Sequence, residues 1–461
     1  MSFSRWSRAL AGTVAGVAAV TLALTGCSGG SGGGGGNGGG GSATKGTVNW
    51  WSWTPDNAVA EREIATFNKQ YPNIKVIYKK VPIDNYAAVL RPALASNSGP
   101  DVYSVNAGTG GFSAEAFAPY AYDLTPATEK LLGSDWKSKV FPGGTKAFTI
   151  KNRLVAMNWG EVGAGMMWIN KDVFDKYKLK PPTTMAEWKT LCATFRSKGL
   201  GCFREGLSGT AGFIVDTLHT IADDIQPGWW TGALTGKHKW NEPTMVKTLD
   251  TWGEIAHNGI LDPGATGILQ YPDVNNAFLS GKVPMVQMGT WYSQYATENG
   301  ITAALAGAGV PAGTKHITIV PVPFPDVSGG GNPRPLFADP DVGNSVNIKS
   351  KNRNAAVTFA LWQGATKEGA QAVANEVDEF PNLKGVGPQW DKIKLVNQPV
   401  QQPLLEKQTA ALSAASEIRS LGLANQVNQA IIDAAQGVTN GSKSAKDGAD
   451  SIQSTADQNT K

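Results

Sequence analysis

Read for its apolar positions, the chain opens on an uncharged run, Ala9 to Leu24, preceded by Arg5 and Arg8. A basic start, a short apolar stretch and small residues at its end predict a secretory signal over Met1–Gly26. The run is shorter than the roughly 20 residues that a membrane-spanning helix needs. From Ser28 to Gly46 the apolar pattern disappears, and 12 of the 19 residues are glycine. Such a stretch buries nothing and predicts a flexible coil spanning roughly 25 Å. Two G-x-S-x-G matches at its start lack the strand, turn and helix that a nucleophile elbow requires.

Regular patterning begins at Thr47. Thr47–Trp53 alternates as a strand and ends at Thr54-Pro55-Asp56, after which Ala58–Lys69 has helical spacing. Ile74–Tyr78 predicts a second strand, Tyr86–Ser96 a helix, and Val102–Val105 a third strand. Strands alternating with helices predict an α/β fold with parallel pairing. Ligands of such sheets sit beyond the carboxyl ends of the strands, which places Trp51, Trp53 and Asn106 at one edge. A second series contains strands at Gly165–Ile169, Val283–Met288 and Ile317–Val322. Helices are predicted over Lys171–Tyr177, Met185–Arg196, Pro243–Ala256, Pro272–Ser280, Asn352–Ala365 and most of Gln408–Gln436. The residues after Gly441 read as a polar tail that frays.

Composition narrows this picture. Thr47–Lys461 holds 415 residues, enough for two or three core-bearing units. Removing the signal takes Arg5 and Arg8 from 41 basic against 37 acidic residues, leaving 39 − 37 = +2. That balance points to neither nucleic acid nor a strongly anionic partner. Cys192 and Cys202, ten residues apart, suit one disulfide or a pair of free thiols. Their spacing is not that of a zinc site, and His219, His238, His257 and His316 are scattered. No cofactor is implied. Trp50-Trp51-Ser52-Trp53 and Trp229-Trp230 are clusters of the kind that stack flat apolar ligand faces.

Leu24-Thr25-Gly26-Cys27 resembles the lipobox of bacterial lipoproteins. The resemblance implies a mature chain that begins at Cys27, with a diacylglycerol on its thiol and a glycine tether over residues 27–46. Further along, Phe67–Ile74, Gly99–Val102, Ile169–Phe174, Pro182–Trp188, Ala277–Lys282, Gly289-Thr290-Trp291 and Asn352–Trp362 resemble sugar-binding extracellular solute-binding proteins of ATP-binding-cassette importers. That family includes maltose-binding protein. The resemblance implies two discontinuous α/β lobes with a ligand cleft between them, in the type II periplasmic-binding-protein arrangement. The first lobe would take residues 47–160 with 335–378, and the second 161–334 with 379–440. It also implies a monomeric receptor held at the membrane, with a sugar ligand and an importer permease as partners.

The same resemblance assigns candidate site residues. In the relatives a tryptophan at the position of Trp291 stacks on a sugar ring, with Tyr292 beside it. A polar ligand residue follows the third strand, where this chain has Asn106. Trp159 and Glu161 fall where the relatives cross between lobes, and an acidic residue there binds hydroxyls. Asp339 and Asp341 stand in a Pro-rich loop, as a solvated turn or as ligand contacts; the spacing around them does not make a calcium loop. Trp51 and Trp53 share one strand face and compete for the cleft edge.

Three functional classes fit these residues. A receptor captures a sugar without transforming it. A glycoside hydrolase needs two carboxyls roughly 5–10 Å apart, which Glu161 with Asp339 or Asp341 would supply. The third class is the same receptor fold binding a polyamine, a peptide or a phosphate ester; aromatic and amide side chains favour a neutral sugar.

Overall fold

Alternation along the first strand sets the architecture. In the computed structural model, which describes residues 40–459 except 109, 110, 210, 211 and 312, β1 (Gly46–Ser52) lies parallel to β2 (Ile74–Lys80) and β3 (Val102–Asn106). The helices α1 (Asn57–Gln70) and α2 (Ile83–Ala95) carry the chain back between them. Val48 and Trp50 point into the core, where the Trp50 ring meets Tyr78, Trp159 and Phe359. Its indole N–H donates to Asn344 Oδ1 at 3.2 Å, which satisfies the polar handle that a buried tryptophan carries.

The next strand, β4 (Met157–Ala164), belongs to this first sheet, and β5 (Met166–Asn170) belongs to a second. Only Gly165, at φ +103°, separates them, a backbone state that glycine tolerates best. The second sheet runs in the order β8 (Ile319–Pro323), β5, β7 (Met285–Gln287), β6 (Phe203–Arg204). The chain then returns through β9 (Phe337–Val346), which pairs antiparallel with β4 and β3. β10 (Phe380–Pro381) pairs with Glu161 and Gly160 of β4, and β11 (Glu417–Ile418) pairs with the start of β9. Strands β10, β4 and β9 thus lie side by side in the first sheet, and β4 ends before Gly165, where the chain passes to the second sheet.

Alternation also divides the core of the second half. Met167, Ile169, Phe203 and Met285 face one cluster, while Met166, Trp168, Val286 and Met288 face another on the opposite side of the sheet. Side chains two apart share a face, so one strand feeds two cores. Helices α3 (Phe213–Ile225) and α4 (Pro243–His257) cover the first cluster, and α7 (Gln398–Ser413) packs against β8. Around the first sheet, α5 (Arg353–Ala365) and α6 (Lys367–Glu376) complete the covering. Cys192 and Cys202 are joined in a disulfide with Cα atoms 5.1 Å apart.

Four expectations from the sequence are corrected here. The residues after Gly441 do not fray. They form α9 (Ala445–Asn459), which packs on α4 and on α8 (Asn425–Asn440). Ala445, Ala449 and Ile452 make a helical stripe of small apolar residues that composition alone hides, and all three are buried. The end of the glycine stretch is also ordered: Asn354 N–H donates to the Gly40 carbonyl at 2.9 Å, its Nδ2 to Gly41 at 2.7 Å, and Thr358 Oγ1 to Ala43 at 2.8 Å. Trp229 and Trp230 are fully buried among Trp240, His219 and each other, so they are core and not a ligand surface. Asp339 and Asp341 lie within β9 and not in a loop before it. Cys27 and the signal lie outside the described residues, and no described helix is long and apolar enough to cross a membrane.

Candidate functional site

Acidic side chains lie on and beside the adjacent strands β4, β9 and β10. Glu161 sits on β4 in register with Pro340 of β9 and Phe380 of β10. The ladder slips between Pro340 and Val342, so Asp341 occupies a bulge, a feature that re-aims a side chain beside a site. Glu379, one residue before β10, lies over Gly160, where an added Cβ would come within 2.5 Å of its Oε2. Glycine at 160 therefore makes the space that Glu379 fills.

Burial perturbs all three carboxyls. Burial, with the charge of Asp339 second, pushes Glu161 up to about 7. Burial and then the Asp341 and Asp378 charges hold Glu379 well above the usual carboxylate range, and Asp341 is raised by burial as well. Glu161 Oε1 and Glu379 Oε2 are buried without a hydrogen-bond partner. Asp378, pushed up to about 8 by burial and then by Asp56, differs in being satisfied: Thr54 Oγ1 and Gln294 Nε2 donate to it at 3.0 and 2.5 Å.

One cation faces this group. Arg419 Nε and Nη2 each donate to Asp216 of α3 at 2.8 Å, and its guanidinium reaches Asp341 at 4.0 Å. Burial works against its charge, but the carboxylates of Asp216, Asp341 and Asp339 hold its proton more tightly than water does. Its backbone is fixed by Asp339, whose carboxylate accepts from the N–H groups of Arg419, Ser420 and Leu421. Asp339 is thus spent on positioning Arg419 and is not open to a ligand, a correction to its expected role. Burial moves its carboxyl up to about 6 despite those donors.

Aromatic rings complete the second-half wall. Trp291 is half-buried, its Nε1 donates to Tyr271 Oη at 3.0 Å, and Phe213 lies 5.6 Å from Tyr271 and 6.1 Å from Trp291 between ring centres. The Arg419 guanidinium sits 4.9 Å over the Trp291 ring. An added Cβ at Gly289 would strike that ring at 2.0 Å, so glycine lets the indole fold back over its own strand end.

The remaining expected residues divide. Asn106 ends β3 and donates from Nδ2 to Asp341 Oδ1 at 3.3 Å. Trp53 follows the end of β1 and packs on Tyr86 and Phe112, leaving 8% of its surface exposed. Trp51 lies within β1 with the Lys79 ammonium 3.9 Å from its ring centre, so a lysine covers it. Trp159 and Tyr292 were expected at the ligand and are core instead. Trp159 packs edge-on to Trp50, and Tyr292 lies among Trp168, Phe278 and Tyr295 with its hydroxyl donating to Asn275. Trp159 falls on the same face of its strand as Met157, toward the first core. Tyr292 is one residue past Trp291 on a tight 3-10 turn that sends it inward.

Sequence reasoning missed Arg419, Asp216, Tyr271, Phe213 and Glu379. The Asp378-Glu379 pair at an expected crossing was a usable signal; an isolated Arg419 among polar residues was not. Among the described residues no group of three or more acidic, histidine or cysteine side chains is placed to hold a metal.

Comparison with known proteins agrees with this geometry. The family described as bacterial extracellular solute-binding protein matches residues 50–374. An uncharacterized ABC transporter extracellular-binding protein of Pyrococcus horikoshii is 23% identical over 287 residues, 59% of this chain and 61% of its own length. The match therefore spans about three-fifths of that relative. Among solved structures, a protein from a study of xylan utilization by Caldanaerobius polysaccharolyticus superposes with a TM-score of 0.69 at 20% identity, covering 88% of this chain and 99% of that one. A Streptomyces glaucescens receptor studied with acarbose gives 0.67 at 19% identity, covering 90% and 98%. A maltose-bound T. maritima protein gives 0.66 at 16% identity, covering 88% and 98%. The two-lobed fold and the match over most of the chain place this protein in the bacterial extracellular solute-binding family.

Proposed function

We propose that the chain is a receptor that binds a mono- or oligosaccharide between its lobes and delivers it to an ABC permease. The observation that carries this reading is the half-buried Trp291, held by Tyr271 and Phe213 with Arg419 and its partner Asp341 beside it. A sugar ring has an apolar C–H face that stacks on an indole and hydroxyls that donate to carboxylate oxygens. The named ligands of the solved relatives, maltose and acarbose, support the same chemistry.

The lobes are taken as residues 47–160 with 335–378, and 161–334 with the C-terminal helices, including α9. Closure is a hinge motion between them, favoured by contacts a ligand makes only when both walls meet it. The N-terminal pattern supports export, with a lipid on Cys27 holding the receptor at the outer face of the membrane as a monomer. One experiment tests the binding function. Neutral mono- and oligosaccharides are incubated with the protein while melting temperature and released products are followed. A rise in Tm without products is expected; no rise with any sugar rejects the reading.

A further inference from the structure

Arg419 is held at both ends yet does not use all of its donors. Asp339 accepts from its backbone N–H and from those of Ser420 and Leu421. At the other end Nε and Nη2 each donate to a different carboxylate oxygen of Asp216 at 2.8 Å, a paired geometry that fixes the plane of the guanidinium. Among the described residues Nη1 donates to no acceptor, and it stands 4.0 Å from Asp341 Oδ1. That gap is too long for a hydrogen bond but suits one intervening oxygen, with about 2.8 Å to either side. Both side chains are reachable, since 17% of the Arg419 side chain and 15% of the Asp341 side chain are exposed. Asn106 Nδ2 donates to the same Oδ1 at 3.3 Å, so the acceptor is oriented as well as the donor.

We infer that Arg419 determines specificity by contact with the ligand: its Nη1 and Asp341 Oδ1 together seat one hydroxyl of the sugar, and Asp216 is the residue that positions it. The inference rests on the receptor reading above and says which part of the wall reads the ligand. A hydroxyl fits the gap because it accepts and donates at once, whereas an ether oxygen only accepts and an ammonium only donates. An ammonium would also meet the guanidinium as a like charge, and a carboxylate would meet Asp341. The Trp291 ring centre lies 4.9 Å from the guanidinium carbon and sets an apolar surface beside the polar seat. Because Asp216 and Asp339 already order Arg419, little side-chain freedom remains to be lost when the hydroxyl arrives. A lysine would keep the charge but lose the planar fork that grips Asp216 and leaves Nη1 over the gap.

The full-length protein and its Arg419→Lys and Asp216→Asn variants are titrated calorimetrically with maltose, galactose and xylobiose, then with singly deoxygenated analogues of each sugar that binds. In the unsubstituted protein, removal of one particular hydroxyl should weaken binding at least about tenfold, as loss of the partner of a charged donor does. Each variant should weaken the parent sugar comparably and retain less than about twofold of that deoxygenation penalty, because the two changes remove the same interaction. Circular dichroism verifies folding, and if one variant does not fold the other carries the comparison. Losses that multiply at every hydroxyl assign Arg419 a purely structural role; they overturn the inference and leave the sugar receptor standing. Unchanged sugar affinity in a folded variant, or no hydroxyl whose removal matters in the unsubstituted protein, overturns it as well. Binding of no sugar rejects the receptor reading itself, and the inference falls with it.

Discussion

On the first-lobe side of the cleft Trp53 lies closed in a nest of Tyr86 and Phe112, with ring centres 5.2 and 4.7 Å away. On the second-lobe side Trp291 stays half-buried, with its N–H tied to Tyr271 and a guanidinium across its face. Both are tryptophans just past the carboxyl end of a strand. They differ in their neighbours. Apolar rings around Trp53 draw together because each contact removes surface from water. Trp291 instead carries the Arg419 guanidinium over one face, and that guanidinium keeps its hydrogen bonds to Asp216.

Substitutions can break or sharpen that contrast. The largest effect is expected from Trp159→Ala, which should cost about 3–5 kcal/mol of stability, as truncation of a core aromatic does. Trp291→Ala should instead leave most of the stability intact and weaken sugar binding at least about tenfold, roughly 1.4 kcal/mol. Denaturant unfolding and calorimetry together check the pair, and equal losses in both measurements would erase the distinction between core and wall.

A smaller effect is expected from Arg419→Met, which strands the nearly buried Asp216 and Asp341 without their cation. Breaking such a pair from one side costs on the order of 3 kcal/mol. The change should lower Tm more at neutral than at acidic pH, where Asp341, whose carboxyl burial already raises, takes up a proton. A pH-independent loss would show that Arg419 acts by packing alone.

The smallest effect concerns the interior behind the second wall. Burial pushes Glu205 up to about 8, although Thr217 Oγ1 donates to it at 2.8 Å. Its folded value lies above the unfolded 4.5, so the folded state binds the proton more tightly. The stability this contributes is complete below the unfolded value and fades as pH rises through about 8. Glu205→Gln should flatten the fall in Tm between those limits; an unchanged slope would assign the fall to other groups.

Periodicity made much of the fold legible. Alternation in Thr47–Trp53 identified β1, and helix spacing located the helix Met185–Ser197. Resemblance singled out Trp291 as a ligand residue, and its ring is half-buried. Less of the site was legible. Nothing in the local pattern distinguishes Tyr292, turned into the core, from Trp291 beside it. Asp216 and Arg419 are 203 positions apart, and neither neighbourhood announces the other.

By itself, the sequence determined which segments become strands and helices, which strand faces are apolar, and that Cys192 and Cys202 lie close enough to bridge. These follow from local periodicity and short spacing. Tertiary structure alone decided that Asp341 and Glu379 meet near Arg419, that Asp339 is consumed in holding Arg419, and that α9 packs and does not fray. The physical reason is range. Burial and charge compensation at a site depend on groups brought together from distant parts of the chain, and no window along the sequence contains them.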